Sequence, residues 1–146
     1  MPTFIHGKGS YFAWSTAAGT TSNSTSVTYT NFSSGIEEVS FPRSVDTAEV
    51  TTYGDNDRNY IAGLRSGSIS VTGIWASTYE EKIAPALGST KLGWISFGPA
   101  GSAITSRREL ARTIITGYEA GAPVGDKVSM KIDFMVTGAV KSTKFA

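Results

Sequence analysis

Alternating oxygen side chains are the first groups in this sequence that could do chemistry. Asp55-x-Asp57-x-Asn59 has the spacing with which carboxylates and amides converge on a hard cation such as calcium. The stricter positions of such a loop fail, because Tyr60 stands where the turn needs glycine and Ser66 where a bidentate glutamate belongs. His6 is the one histidine, and nothing near it in sequence orients the ring for a Ser-His-Asp triad or supplies an oxyanion hole. Gly7-Lys8-Gly9-Ser10 approximates a phosphate loop without its upstream glycine or preceding strand. The pairs Glu37/Glu38 and Glu80/Glu81 are adjacent, so on a strand the two carboxylates point to opposite faces. On a helix the second pair has the plainer role of favouring a positive N-terminus. No catalytic, cofactor-binding or metal-binding residue is expected, and no cofactor.

Composition narrows the classes further. Lys and Arg number 13 against 12 for Asp and Glu, which argues against a basic domain that grips nucleic acid by its phosphates. Arg107-Arg108 therefore reads as a solvated loop. Cysteine is absent, so there is no disulfide framework and no thiolate ligand or nucleophile. Trp14, Trp75 and Trp94 could form a sugar-stacking platform, although core packing is the commoner use of scattered indoles. The start has no apolar signal core and no run is long enough to span a bilayer, so a cytoplasmic product without membrane binding is expected.

The elements that would position these residues are mostly strands. Sixteen glycines and abundant Ser and Thr suit short strands and turns better than helices. From Lys127 to Val136, Val128, Met130, Ile132, Phe134 and Val136 share one face while Lys127, Ser129, Lys131 and Asp133 share the other. Gly67 to Trp75 repeats the pattern with Ile69 and Val71, and Arg112 to Glu119 is rich in β-branched residues. Further strands are expected at Tyr11–Ser15, Ser26–Thr30, Glu37–Phe41, Ala48–Tyr53 and Gly93–Phe97. One short amphipathic helix, about residues 78–87, is predicted from two overlapping capping boxes (Ser77 with Glu80, Thr78 with Glu81) and from Tyr79, Ile83 and Leu87. Pro85 should shorten it, and Gly88 sits where it should stop. About residues 51–67 form a polar, turn-rich stretch, too long for an ordinary hairpin connection. The expected fold class is mainly β, a sandwich or partial barrel with one flanking helix and this long hairpin loop.

Three stretches together resemble the major tail protein, or tail tube protein, family of long-tailed bacteriophages. They are Phe41-Pro42-Arg43-Ser44-Val45-Asp46-Thr47-Ala48-Glu49 with its continuation to Asp55, Tyr60-Ile61-Ala62-Gly63-Leu64-Arg65 with its continuation to Gly73, and Ser129–Val140, ending in Gly138-Ala139-Val140. Family members similarly carry a Pro-Arg-Ser-x-Asp-Thr-like run, a Gly-Leu-Lys/Arg-x-Gly-x-Ile-Ser strand and a closing Gly-Ala-Val. The resemblance spans about residues 39–140.

It implies a tail-tube-type β-sandwich or partial barrel, one domain over residues 1–146, with a variable section to about residue 35 and no added C-terminal immunoglobulin-like domain. The chain would assemble with itself as homohexameric rings stacked into a hollow tube in the virion, built in the host cytoplasm. Tape measure, tail terminator and baseplate proteins would be partners, and phage DNA would pass the lumen without sequence-specific binding. A barrel of about 16 strands or more encloses a channel, which several copies can supply and one small domain cannot. Tyr53, Asp55, Asp57, Arg58, Tyr60, Ile61, Leu64 and Arg65 are the expected inter-subunit or inter-ring contacts. The alternatives are the inner tube of a contractile tail or related injection machine, and a monomeric carbohydrate-binding sandwich.

Overall fold

The structure is a computed structural model that describes residues 4, 6–15, 29–87 and 93–145. Among these residues nine strands appear in chain order: β1 (Tyr11–Ser15), β2 (Thr30–Asn31), β3 (Ile36–Ser40), β4 (Arg43–Glu49), β5 (Tyr60–Ile74), β6 (Gly93–Gly98), β7 (Arg107–Gly121), β8 (Ser129–Val136) and β9 (Lys141–Lys144). One helix, α1 (Ser77–Ile83), runs on into a 3-10 turn at Ala84–Ala86. All pairings are antiparallel, in the order β2-β1-β6-β7-β8-β5-β3, with β4 added to β5 and β9 to β7.

The two ends of that order meet. β2 and β3 are joined by the short turn at Phe32–Gly35, so the sheet must curl until its first strand leads across this turn into its last. Backbone bonds hold the turn to both ends. The Phe32 amide donates to the Phe12 carbonyl at 3.0 Å, and the Ile74 amide donates to the Gly35 carbonyl at 2.7 Å. The result is the partial-barrel form of the expected fold, with one hydrogen-bonded sheet around one core.

Alternating side chains fill that core. Along β5 and β8, Ile69 pairs with Phe134, Val71 with Ile132 and Gly73 with Met130, all turned inward and buried. Between them, Ser70 faces Asp133 and Thr72 faces Lys131 on the outside, where the Ser70 hydroxyl donates to Asp133 at 2.9 Å. Phe12, Trp14, Phe32 and Ile95 close the core from the far side. Helix α1 covers the seam with Ile83 buried, and Tyr79 packs its ring 4.6 Å from that of Phe32.

Several expectations need correction. β8 begins at Ser129, so Val128 stands outside the strand and is exposed, not part of the dry face. Lys127 instead forms an ion pair with Glu37, tying the β7–β8 turn to β3. The capping boxes do not form: α1 is capped by Ala76 with no side-chain hydrogen bond. Leu87 is exposed because Pro85 tightens the chain into a 3-10 turn, which ends the 3.6-residue period before Leu87. Gly88, most of the expected strand at 26–30, and the variable loop at 19–26 lie outside the described residues. β9 was not expected from the sequence.

The largest difference is at 51–67. Only the first part is a connection, since β5 already begins at Tyr60 and runs unbroken to Ile74. Tyr60, Ile61, Leu64 and Arg65 are therefore strand residues, and the loop ends at Asn59. A sequence pattern could not show this, because neither face of that part of the strand is buried. With no dry face there is no alternation to read.

Candidate assembly surface

Pro42 sets where the chain leaves the sheet. β3 and β4 both pair with β5 and behave as one strand interrupted at Phe41–Pro42. Proline has no amide proton to give the ladder, so a break falls there. Beyond it, β4 and the first half of β5 continue alone as a two-stranded arm. Seven strand residues carry this arm roughly 23 Å from the sheet.

Every residue of β4 is exposed, as is β5 from Tyr60 to Ser66. The arm nevertheless carries Val45, Val50, Tyr53, Tyr60, Ile61 and Leu64, with Leu64 at 80% exposure. Isolated two-stranded ribbons are marginal in water, and apolar side chains grouped on one mark a contact surface. Cross-strand partners share a face: Glu49 with Tyr60, Ala48 with Ile61, Thr47 with Ala62 and Val45 with Arg65. Between these pairs the register shifts, so Gly63 and Leu64 both stand opposite Asp46. Gly63 keeps this bulge close-packed: a Cβ there would lie 3.2 Å from the Asp46 carbonyl oxygen, and the arm would have to spread by a few tenths of an ångström to take it.

The tip has its own hydrogen bonds. Val50 donates its amide to Asn59 at 2.8 Å, and the Asn59 amide donates to the Thr51 hydroxyl at 3.1 Å. The Asp55 carboxylate accepts from the Thr52 amide at 2.8 Å and the Thr52 hydroxyl at 3.1 Å. The backbone bond from Thr52 holds the Asp55 carboxyl below its usual value of 3.8, with the hydroxyl bond adding to it. Asp55 thus braces the turn, while Tyr53 stands fully exposed at its end.

At the root, Arg43 lies 3.5 Å from Glu109 on β7, and Glu109 also accepts from Ser142 on β9 at 2.7 Å. A shallow groove of about 520 Å³ opens beside this anchor, between the arm root and the 136–140 segment. Val45, Leu64, Arg65, Val136, Ala139 and Val140 are among its lining residues. The third motif stretch, distant in sequence from the other two, therefore meets them at one place. Reasoning from sequence missed Val45 and Val50 as exposed apolar groups and missed the groove altogether. The Gly-Ala-Val run was its only local signal.

Other candidate chemistry is not assembled. Trp14 and Trp94 are buried and Trp75 is half-buried in the core, so no indole platform faces solvent. His6 accepts a hydrogen bond from the Lys8 amide at the start of a short 3-10 turn. Arg108 is not the solvated loop residue expected, since it lies on β7, donates to Ser96 at 2.8 Å and covers the Phe145 ring.

No protein-family model and no curated protein sequence matches the chain. Solved structures do. A chain from the tail of an empty gene transfer agent particle, a C6-symmetric assembly, superposes with a TM-score of 0.72 at 16% identity, covering 96% of this chain and 99% of that one. The SPP1 tail tube gives 0.72 at 14% identity, covering 96% and 79%. A chain of the sheath–tube complex of an extracellular contractile injection system gives 0.64 at 14% identity, covering 96% and 91%. At such identities the agreement is one of architecture, and it extends over almost the whole chain: the protein has the tail-tube fold.

Proposed function

We propose that this chain is the tube subunit of a long-tailed phage or phage-like particle, a single tail tube domain over residues 1–146. Its copies form hexameric rings that stack into a hollow tube, through which DNA passes without sequence-specific contact. The observation that carries the reading is the end-to-end match to chains from assembled tails, one of them of C6 symmetry. The exposed arm supports it. Tyr53, Asp57, Arg58, Tyr60, Ile61, Leu64 and Arg65 present apolar and charged groups that a lone subunit leaves in water, and Asp55 braces the tip that carries them. Contact between neighbouring subunits or rings is their function here. Tape measure, tail terminator and baseplate proteins are the other partners of such a tube, which is assembled in the host cytoplasm. The role is structural, and no step of it calls for catalysis.

A second reading is the inner tube of a contractile machine, favoured by the match to the contractile injection system. Negative-stain microscopy of the purified chain tests the common core of both. Rings or tubes are expected. A particle that stays monomeric at every concentration would refute both.

A further inference from the structure

We infer that β9 is a releasable strap, pinned to the folded subunit by Phe145 and coupled through Glu109 to the root of the arm. The inference concerns the subunit alone and does not rest on the tube reading. β9 has little of its own to hold it. None of Lys141-Ser142-Thr143-Lys144 is buried, and the strand pairs only with β7 among the described residues. In that pairing Lys144 stands directly opposite Arg107, both exposed, and like charges placed so repel. The hold comes from the next residue. The Phe145 ring meets the Tyr11 ring edge-on at 5.5 Å and lies 5.0 Å from the Arg108 guanidinium, which donates to Ser96 at 2.8 Å. It sits so close over β6 that a Cβ on Gly98 would come within 2.8 Å of it.

Docking this ring strains the chain beside it. The Thr105 amide donates to the Phe145 carbonyl at 2.9 Å, and the Phe145 amide donates to the Ser106 carbonyl at 3.0 Å. Thr105 makes its bond with φ at +73°, the one positive φ outside glycine among the described residues. A β-branched residue rarely takes that conformation, since its Cβ crowds the backbone. The bonds to Phe145 hold Thr105 there, and leaving them lets it relax. Strain therefore favours release, while the packing of the Phe145 ring opposes it. β9 sits close to its own release point, a local opening that leaves the main sheet folded. Release has a consequence at the arm. The same Glu109 oxygen accepts from Ser142 on β9 at 2.7 Å and from Arg43 at the arm root at 3.5 Å. Without Ser142 the carboxylate swings more freely, and Arg43 loses a fixed partner.

Amide hydrogen exchange on the full chain tests the strap. Thr105→Gly should slow exchange of the Phe145 amide by about fivefold, because glycine takes a positive φ without strain and returns only part of that gain as extra freedom on release. The change removes strain, so the fold survives it, and exchange that is unchanged or faster would overturn the inference. Phe145→Ala should speed exchange over Lys141–Lys144 by roughly tenfold, as one aromatic anchor is lost. It should also raise exchange of the Ser68 amide, which bonds the Pro42 carbonyl at the arm root, by about two- to fivefold, the scale of one exposed ion pair. A Ser68 amide indifferent to Phe145→Ala would refute the coupling. Arg43→Ala should raise the same amide by a similar factor, and adding Phe145→Ala to it should do no more. Effects that simply multiply would mean that the arm feels Phe145 by another route, and would overturn the role of Glu109.

Discussion

Gly73 lies so close against Gly35 that a Cβ on Gly73 would overlap the Gly35 carbonyl oxygen. This is the seam of the curled sheet, where β5 meets the turn that joins its first and last strands. A side chain here would have to push the turn away and break the bond from the Ile74 amide to Gly35. Gly73→Ala is therefore expected to cost about 1–3 kcal/mol, the usual range for overpacking. Urea unfolding checks it, and a midpoint unchanged from wild type would show that the seam opens freely.

The two faces of β8 give a paired test. Ile132 is fully buried beside Val71, whereas Lys131 is exposed beside Thr72. Ile132→Asp places an unpaired carboxylate in the core and should abolish soluble protein, at a cost of about 4 kcal/mol or more. Lys131→Ser should change stability by no more than about 0.5 kcal/mol. Soluble yield and thermal melting compare the two, and equal damage would mean that the strand is turned over.

Removing the tip should separate folding from assembly. Among the described residues the tip bonds only to itself, so replacing Val50–Asn59 by Asn-Gly leaves every described partner of the main sheet in place. Asn-Gly suits a tight two-residue hairpin. Circular dichroism and solubility should match wild type while elongation of tubes fails. Normal tubes from this variant would exclude the tip as an assembly element.

Acid should loosen the same tip. The Thr52 bonds depress the Asp55 pKa, so their contribution is complete above the usual carboxylate value and is lost as pH falls through the lower folded value. NMR titration should show the Thr52 amide shifting together with the Asp55 carboxyl, below pH 3.8. Asp55→Ala should move that amide to its acid-form position at neutral pH. A Thr52 amide indifferent to both changes would show that the bond is not made in solution.

Legibility followed burial. β8 and the second half of β5 were readable because one face is dry and the other wet, so Ile69, Val71, Met130, Ile132 and Phe134 announce a core side. The arm announced nothing of the kind. Its residues are exposed on both faces, and a strand without alternation looks like a polar loop from sequence. β9 was lost for a related reason, since Lys141-Ser142-Thr143-Lys144 has no apolar side chain and is held by pairing with Arg107–Leu110. The groove depends on residues brought together where the end of β8 pairs beside β5. No local pattern encodes that meeting, although the three motif stretches had already marked its walls.

The curl also governs when this chain can fold. Phe12 and Phe134 face each other in the core with ring centroids 6.2 Å apart, yet they come from opposite ends of the sequence. Forming the sheet means pairing β1 with β6, Tyr11 opposite Gly98, and β5 with β8, Ser68 opposite Met135, so long loops must close before the central contacts give any return. Such non-local topologies fold on roughly the millisecond-to-second scale. During synthesis β1 must wait for β6, and β5 for β8, to leave the ribosome, and each stays unpaired on one side until then. The exposed arm makes no demand on that closure, so it can pair with itself while the rest is still waiting.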